Sequence, residues 1–414
     1  MDKFKYRCIN CDKEHLETEV KYLCPDCKKR NTPNNPPKGV LKTIYQYDKI
    51  KERFTQDKKH ETLWGYLKAS GFIELLPIKS LKNLPNLQVG STPFYKIDKL
   101  NNSKLPFNLF LKDDSQNPTY SFKDRASAIV SAYAKENNIE TIVAASTGNA
   151  GSSLAGICAA NGQKAIILVP EAAPLAKLTQ IIMYGAKLIP VKGTYDDAFD
   201  LSIKATGAFG WYNRNTAYNP LTIEGKKTVA FELFEQMNFK TPNRIFVPVG
   251  DGVIISGVYK GFEDLLNLGI INKMPVIVAV QSKGSDNLTR NINNKTFKIK
   301  ASNTVADSIS VDIPRNFYMA KQFIQNYGGE YLSVSDDEIL KASTVLSKNT
   351  GLFAEPAAAT AFAGLLHYQA NNKLANGSSN VVLLTGSGLK DLQAVQKTLK
   401  IPEAIEPDIR NIIN

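Results

Sequence analysis

Seven short apolar runs, spread over residues 108–388 and separated by segments of helical length, constrain this chain more than any other feature. They are NLFLKDD (108–114), TIVAAS (141–146), KAIILVP (164–170), KLIPV (187–191), RIFVPVG (244–250), VIVAVQS (276–282) and VVLLTGSG (381–388). Continuous runs rich in Val and Ile suit parallel strands buried on both faces; a strand with one wet face would alternate instead. Helical patterns fill the intervals at 123–137, 149–162, 173–185, 194–206, 223–238 and 254–268. Strand-helix alternation of this kind predicts a doubly wound α/β architecture. At 414 residues the chain exceeds one simple core and suits two or three packed units.

The first 27 residues have a different character. Four of the five cysteines lie there, as Cys8-x-x-Cys11 and Cys24-x-x-Cys27 with twelve residues between the pairs. Two such knuckles supply a closed tetrahedral set of four thiolates, and the segment HLETEVKYL between them reads as strand-turn-strand, the pattern of a small zinc ribbon. A closed set leaves no coordination position for a substrate, so the expected zinc is structural. The fifth, Cys158, falls in a helical pattern and reads as a small buried hydrophobe. A Pro- and Asn-rich stretch, NTPNNPPKG (31–39), marks a boundary after this unit. Residues 40–110 are mixed, with helical character around 58–70 and a turn at GSTPF (90–94).

Charge excludes more than it assigns. The formal net charge is +12, from 51 Lys and Arg against 39 Asp and Glu, but the basic residues are scattered rather than run together. That distribution argues for a solvated surface and against nucleic-acid binding. No stretch approaches the roughly 18 apolar residues of a membrane span. The N-terminus lacks the apolar core of a secretion signal, so the cytoplasm is the expected location.

Three of the apolar runs end in clusters of small polar residues and glycine: AAS-TGN (144–149), PVG-DG (248–252) and LLT-GSG (383–388). In open α/β sheets, ligands bind off the carboxyl ends of strands, where helix N-termini gather and favour anions. Four motifs occupy such positions. Asn117-Pro-Thr-Tyr-Ser-Phe-Lys123-Asp-Arg125 leads from a turn into a helix whose first turn carries a lysine; a helix dipole there would favour a neutral, nucleophilic amine. Ser146-Thr147-Gly148-Asn149-Ala150-Gly151 offers hydroxyls and backbone N–H groups to a carboxylate. Gly250-Asp251-Gly252-Val253-Ile254-Ile255-Ser256-Gly257 can bring backbone amides against a phosphate. Thr385-Gly386-Ser387-Gly388-Leu389-Lys390 closes the set.

In order and spacing, from about Gly90 to Asp391, these motifs resemble the second structural class of pyridoxal-phosphate (PLP) enzymes, the tryptophan synthase β-like group. S-F-K-D-R and T-G-x-G-L-K-D are most similar to the threonine synthase family. The resemblance implies two α/β domains around a PLP cleft. The larger would comprise residues 31–125 plus 230–414 and the smaller 126–229, after a zinc-ribbon-like unit at 1–30. It implies that Lys123 carries PLP as a Schiff base and Asn149 hydrogen-bonds its phenolic oxygen. Gly250, Asp251, Gly252, Val253 and Ile254 would hold its phosphate, and Thr385 would face the pyridine nitrogen. Ser146 and Thr147 would bind the carboxylate of a small, anionic amino-acid substrate. The implied reaction is O-phosphohomoserine plus water to threonine plus phosphate through an external aldimine, in a homodimer.

Three positions depart from the family pattern. Thr222 stands where threonine synthases commonly have an arginine for the substrate phosphate; it is carried here as a substrate-binding position, with Lys226 or Lys112 as the residue able to do the arginine's work. Tyr120 replaces a glycine beside Lys123 and is expected to narrow the pocket. Ser387 replaces histidine or another polar residue. An uncharged Thr222 keeps open a PLP-dependent β-elimination or replacement on a smaller amino acid, such as a serine/threonine or diaminopropionate ammonia-lyase, or a cysteate-synthase-like reaction. Segment 307–315 resembles a loop near the substrate, where Arg315 reads more simply as a surface arginine. Glu355 resembles a position near the cofactor ring.

Overall fold

The computed structural model describes residues 3–396, 399 and 402–412. The chain opens with β1 (Phe4–Cys8) and β2 (Glu14–Leu16), and β3 (Leu41–Tyr45) returns to pair with β1 in a three-stranded antiparallel sheet ordered β2-β1-β3. The third strand therefore comes from beyond the Pro-rich stretch. Between the knuckles only β2 forms; residues 17–23 are turns and bends, not the second strand of an expected pair.

β4 (Phe94–Leu100) and β5 (Ser103–Asp113) form an antiparallel hairpin that starts the largest sheet. The chain then leaves to build a separate four-stranded parallel sheet from β6 (Thr141–Ala145), β7 (Lys164–Pro170), β8 (Lys187–Val191) and β9 (Tyr212–Asn213), ordered β8-β7-β6-β9. It returns with β10 (Arg244–Pro248), β11 (Val276–Ser282), β12 (Glu330–Val334) and β13 (Ser379–Leu384), completing a six-stranded sheet ordered β12-β11-β10-β13-β5-β4. All its neighbours are parallel except β4 and β5. The fold is mixed α/β.

Six of the seven apolar runs became strands almost wholly buried or bordering the core; KLIPV, now β8, is a half-exposed edge. In the large sheet two strands went unread. β4 and β12 are the outer strands of the large sheet and alternate between exposed and half-buried residues, so neither shows a continuous apolar run. Each expected helix is present, the fifth broken into Leu221–Lys226 and Thr228–Gln236. Helices Phe317–Asn326 and Asp336–Thr350 add to them. Among the described residues no helix is long and apolar enough to cross a membrane.

The N-terminal unit is not a loose appendage. Tyr22 stacks on Tyr218 with ring centroids 4.5 Å apart, and its hydroxyl accepts from the Asn213 N–H at 2.9 Å. Tyr45 on β3 donates to Glu224 at 2.6 Å, and Tyr47 donates to Asp264 at 2.6 Å. The Cys8, Cys11, Cys24 and Cys27 sulfurs all lie within 4.8 Å of one another. Cys158 is fully buried, and burial pushes its thiol up to about 12.

Candidate active site

The carboxyl ends of β6, β9 and β10 open on one cleft of about 550 Å³. Lys123 lines it as the first residue of helix Lys123–Glu136. The approach to this lysine is held from several sides. Asn117 accepts from the Gly90 N–H at 2.9 Å, and Phe122 N–H donates to the Thr385 carbonyl at 2.9 Å. Asp124 accepts from the backbone and hydroxyl of Thr119 at 2.7 and 2.5 Å. Arg125 forks onto Asp114 and Glu232. Asp124 and Arg125 are thus buried anchors, not members of a surface charge cluster. The Lys123 amine makes no ion pair or hydrogen bond with a described residue. Its pKa is lowered by burial, with Arg214 adding to the effect against the carboxylates of Glu355 and Asp251.

Ser146, Thr147, Gly148 and Asn149 line the same cleft between β6 and helix Asn149–Asn161. The Asn149 amide donates to both oxygens of Glu355, at 2.9 and 3.1 Å, and Ser308 donates to Glu355 at 3.2 Å. Burial pushes the Glu355 carboxyl up. This contact leaves no room for a side chain at position 386: a Cβ on Gly386 would stand 2.5 Å from Glu355 Oε1.

Gly250, Asp251, Gly252, Val253 and Ile254 line the cleft where β10 passes into helix Val253–Asn267. Gly252 sits at φ +84°, in the left-handed region that glycine adopts without strain. The loop is braced from behind. Asp251 accepts from the Arg315 and Asn316 N–H groups at 2.9 Å each, and Asn316 donates to the Gly252 carbonyl at 3.2 Å.

Three expectations need correction. Thr222 does not line the cleft; it is fully buried in the first turn of helix Leu221–Lys226, and its hydroxyl is spent on the Asn219 carbonyl at 2.8 Å. A threonine three residues beyond a free carbonyl makes that local bond readily. Tyr120 does not narrow the cleft either. It is 52% exposed and stands at φ +67°, which explains why a glycine is natural there. Arg315 is no plain surface residue: it lines the cleft, pairs with Asp196 and lies 4.5 Å over the Phe199 ring. Thr385 lies beside the Lys123 approach, 5% exposed, but is not among the lining residues. Ser387 starts the short turn Gly388–Lys390, accepting from the Leu389 N–H at 3.3 Å.

Arg214, which no motif marked, also lines the cleft, as do Thr216 and Lys226. No motif or apolar run in the sequence marks Arg214. Of the two lysines weighed against Thr222, Lys226 is in the cleft, whereas Lys112 is committed to Glu232 at 2.6 Å and Gln236 at 2.9 Å.

Residues 86–386 match the family described as pyridoxal-phosphate dependent enzyme. The threonine synthase of Methanocaldococcus jannaschii is 35% identical over 410 residues, covering 97% of this chain and 97% of that protein. The chain belongs to the threonine synthase family of PLP-dependent enzymes. The bacterial relative from Halalkalibacterium halodurans, also a threonine synthase, is 32% identical and covers 81% of this chain and 92% of its own length. Among solved structures, a fungal L-serine ammonia-lyase from Rhizomucor miehei aligns with a TM-score of 0.63 at 21% identity, covering 74% of this chain and 97% of that one. That likeness extends to the fold. Family membership makes the chain a PLP-dependent lyase that acts on a small amino acid.

The cleft suits that cofactor. It joins a lysine amine without a partner among the described residues to a glycine loop at the N-terminus of a fifteen-residue helix.

Proposed function

We propose that this cleft converts O-phosphohomoserine and water to threonine and phosphate. The observation that carries the reading is the gathering of Lys123, the 146–149 turn, the 250–254 loop and two buried cations around one cavity, in a chain of this family. Lys123 would bind the cofactor's aldehyde carbon, Gly250–Ile254 its phosphate, Asn149 its phenolic oxygen and Thr385 its ring nitrogen. When bound, PLP supplies an electron sink that makes protons next to the amine-bearing carbon labile. Asn149 would hold its phenolic contact from a position fixed by Glu355.

Within that frame the residues divide the work. Ser146 and Thr147 orient the substrate carboxylate. Lys123, its pKa lowered by burial, takes protons from Cα and Cβ and returns one to Cα. Phosphate leaves from Cγ, which gains the proton taken from Cβ and becomes the methyl carbon; water adds its hydroxyl at Cβ and its other proton goes to the phosphate. The elimination alternative drew its support from an uncharged Thr222, but Thr222 lies outside the cleft and Arg214 and Lys226 lie inside it. A cleft with that charge favours an anionic substrate.

A structural zinc on Cys8, Cys11, Cys24 and Cys27 is part of the proposal, supported by four thiols gathered at ligand spacing. A homodimer is the further expectation, supported by family resemblance, and a cytoplasmic location is the expectation from the sequence. The deciding experiment incubates the PLP-loaded enzyme with O-phosphohomoserine and, separately, with serine, threonine and diaminopropionate. Equimolar phosphate and threonine from the first supports the reading; keto acid from the others without phosphate release would replace it with an eliminating lyase.

A further inference from the structure

The buried cations of this protein fall into two groups. Lys112, Arg125, Lys227 and Lys260 each contact a carboxylate: Glu232, Asp114 and Glu232, Glu224 and Asp264, and Asp264 respectively. Arg214 and Lys226 are wholly buried as well, yet neither forms an ion pair with a described residue. Arg214 donates from Nε to Ser127 at 3.2 Å and from Nη2 to the Lys123 carbonyl at 3.4 Å, and its Nη1 has no partner. Lys226 has only the Thr216 hydroxyl, at 3.5 Å. Both line the cleft.

Burying a cation without a counter-charge is strongly disfavoured. A protein that pairs its other buried cations leaves such groups unpaired where a ligand supplies the charge. The glycine loop at residues 250–254 can neutralise one phosphate through backbone amides and its helix terminus. A cofactor and a substrate that each carry a phosphoryl group need two anion sites in one cavity.

We propose that Arg214 and Lys226, with the Thr216 hydroxyl, form a second anion site in the cleft that receives the phosphoryl group of the substrate. The identity of that substrate rests on the threonine synthase reading; the anion site does not. Lys226 takes over the part that a cation at position 222 would play, reaching the cavity from one helical turn further along.

The site's electrostatics follow from its neighbours. Lys226 is held well below the usual lysine range by burial, then by Arg214 and Lys123, against the carboxylate of Asp251. Arg214 is pushed down to about 10 by burial, with Asp124, Tyr195 and Cys158 opposing. An arriving dianion favours the charged form of the lysine, so binding is expected to be accompanied by proton uptake.

Sulfate is the probe, because it is a dianion that does not itself titrate near neutral pH. Holoenzyme is used so that cofactor phosphate already fills the glycine loop. Calorimetry in two buffers of different ionisation enthalpy then gives both affinity and proton uptake. K226M is expected to weaken sulfate binding roughly ten- to a hundredfold and to raise the KM for O-phosphohomoserine more than it lowers kcat. K226R is expected to keep the affinity and lose the proton uptake, since a guanidinium stays charged. Wild-type sulfate affinity in K226M overturns the proposal. Should K226M fail to fold, K226R decides: uptake equal to wild type overturns it. Unimpaired turnover of O-phosphohomoserine by K226M would sink this inference alone. Lysine-dependent sulfate binding in an enzyme that releases no phosphate from O-phosphohomoserine would sink only the assigned substrate.

Discussion

Behind the cleft, buried charges form closed sets, while inside it three cations have no carboxylate partner. Arg125 grips Asp114 and Glu232, and Lys112 shares Glu232 at 2.6 Å. Lys227 lies between Glu224 at 2.5 Å and Asp264 at 2.7 Å, with Lys260 on the other oxygen of Asp264 and Tyr45 and Tyr47 completing the set. These groups fix the helix that presents Lys123 and fasten the N-terminal sheet to the rest of the chain. Lys226 and Arg214 are wholly buried and Lys123 is partly buried, and none of the three has a carboxylate partner among the described residues. The difference separates scaffold from site: a charge satisfied within the chain builds structure, and one left open awaits a ligand.

The comparison can be broken at either end. Replacing Lys123 by Ala removes the nucleophile and proton carrier, and turnover should fall by roughly 10²–10⁴-fold with little change in unfolding temperature. An equal loss of stability would mean that Lys123 belongs with the scaffold. Asp264→Ala should act in reverse, stranding Lys260, leaving Lys227 with Glu224 alone, and costing roughly 3–5 kcal/mol in denaturant unfolding. Lys226→Met, by contrast, removes a cation with no partner and should leave the unfolding midpoint unchanged or raise it. A K226M protein as unstable as D264A would erase the distinction.

Acid provides a finer test. Burial pushes the Glu232 carboxyl up, but the Arg125 guanidinium and the Lys112 ammonium outweigh it and hold the group at about 2 against an ordinary 4.5. Its stabilising effect is therefore complete above 4.5 and lost as pH falls through that window towards 2. Glu232→Gln should lower stability at neutral pH and flatten its decline over that range; parallel curves for variant and wild type would show that the pairing contributes little. The smallest effect expected is at Tyr120, exposed at φ +67°. Glycine there relieves the backbone but loosens the unfolded chain, so Tyr120→Gly should shift stability by about 1 kcal/mol or less. A large drop in substrate affinity would restore the tyrosine to the pocket wall.

Much of this was legible from the sequence, for a definite reason. Lys123, Asn149 and the 250–254 loop sit at strand-to-helix junctions, where local pattern and function coincide. β5, β6, β10, β11 and β13 were readable because their environment is apolar on both sides. The edge strands β4 and β12 were not, since exposed and half-buried residues interrupt any continuous apolar run. β3 was missed as part of the cysteine unit because its pairing with β1 spans more than thirty residues of chain. Arg214 could not be read at all: what sets it apart is the absence of a carboxylate around it, a tertiary fact with no local signature. Thr222 misled for the complementary reason, because position in a motif says nothing about a hydroxyl already bonded to its own helix.

The account's central claim is that Lys123, and not the second lysine of the cleft, bears the cofactor. Borohydride reduction of the PLP-loaded enzyme fixes the cofactor to whichever lysine holds it, and peptide mapping reads the position. The account predicts a pyridoxyl group on Lys123 alone, with Lys226 unmodified. Label on Lys226, or a holoenzyme from which reduction fixes nothing, would contradict it.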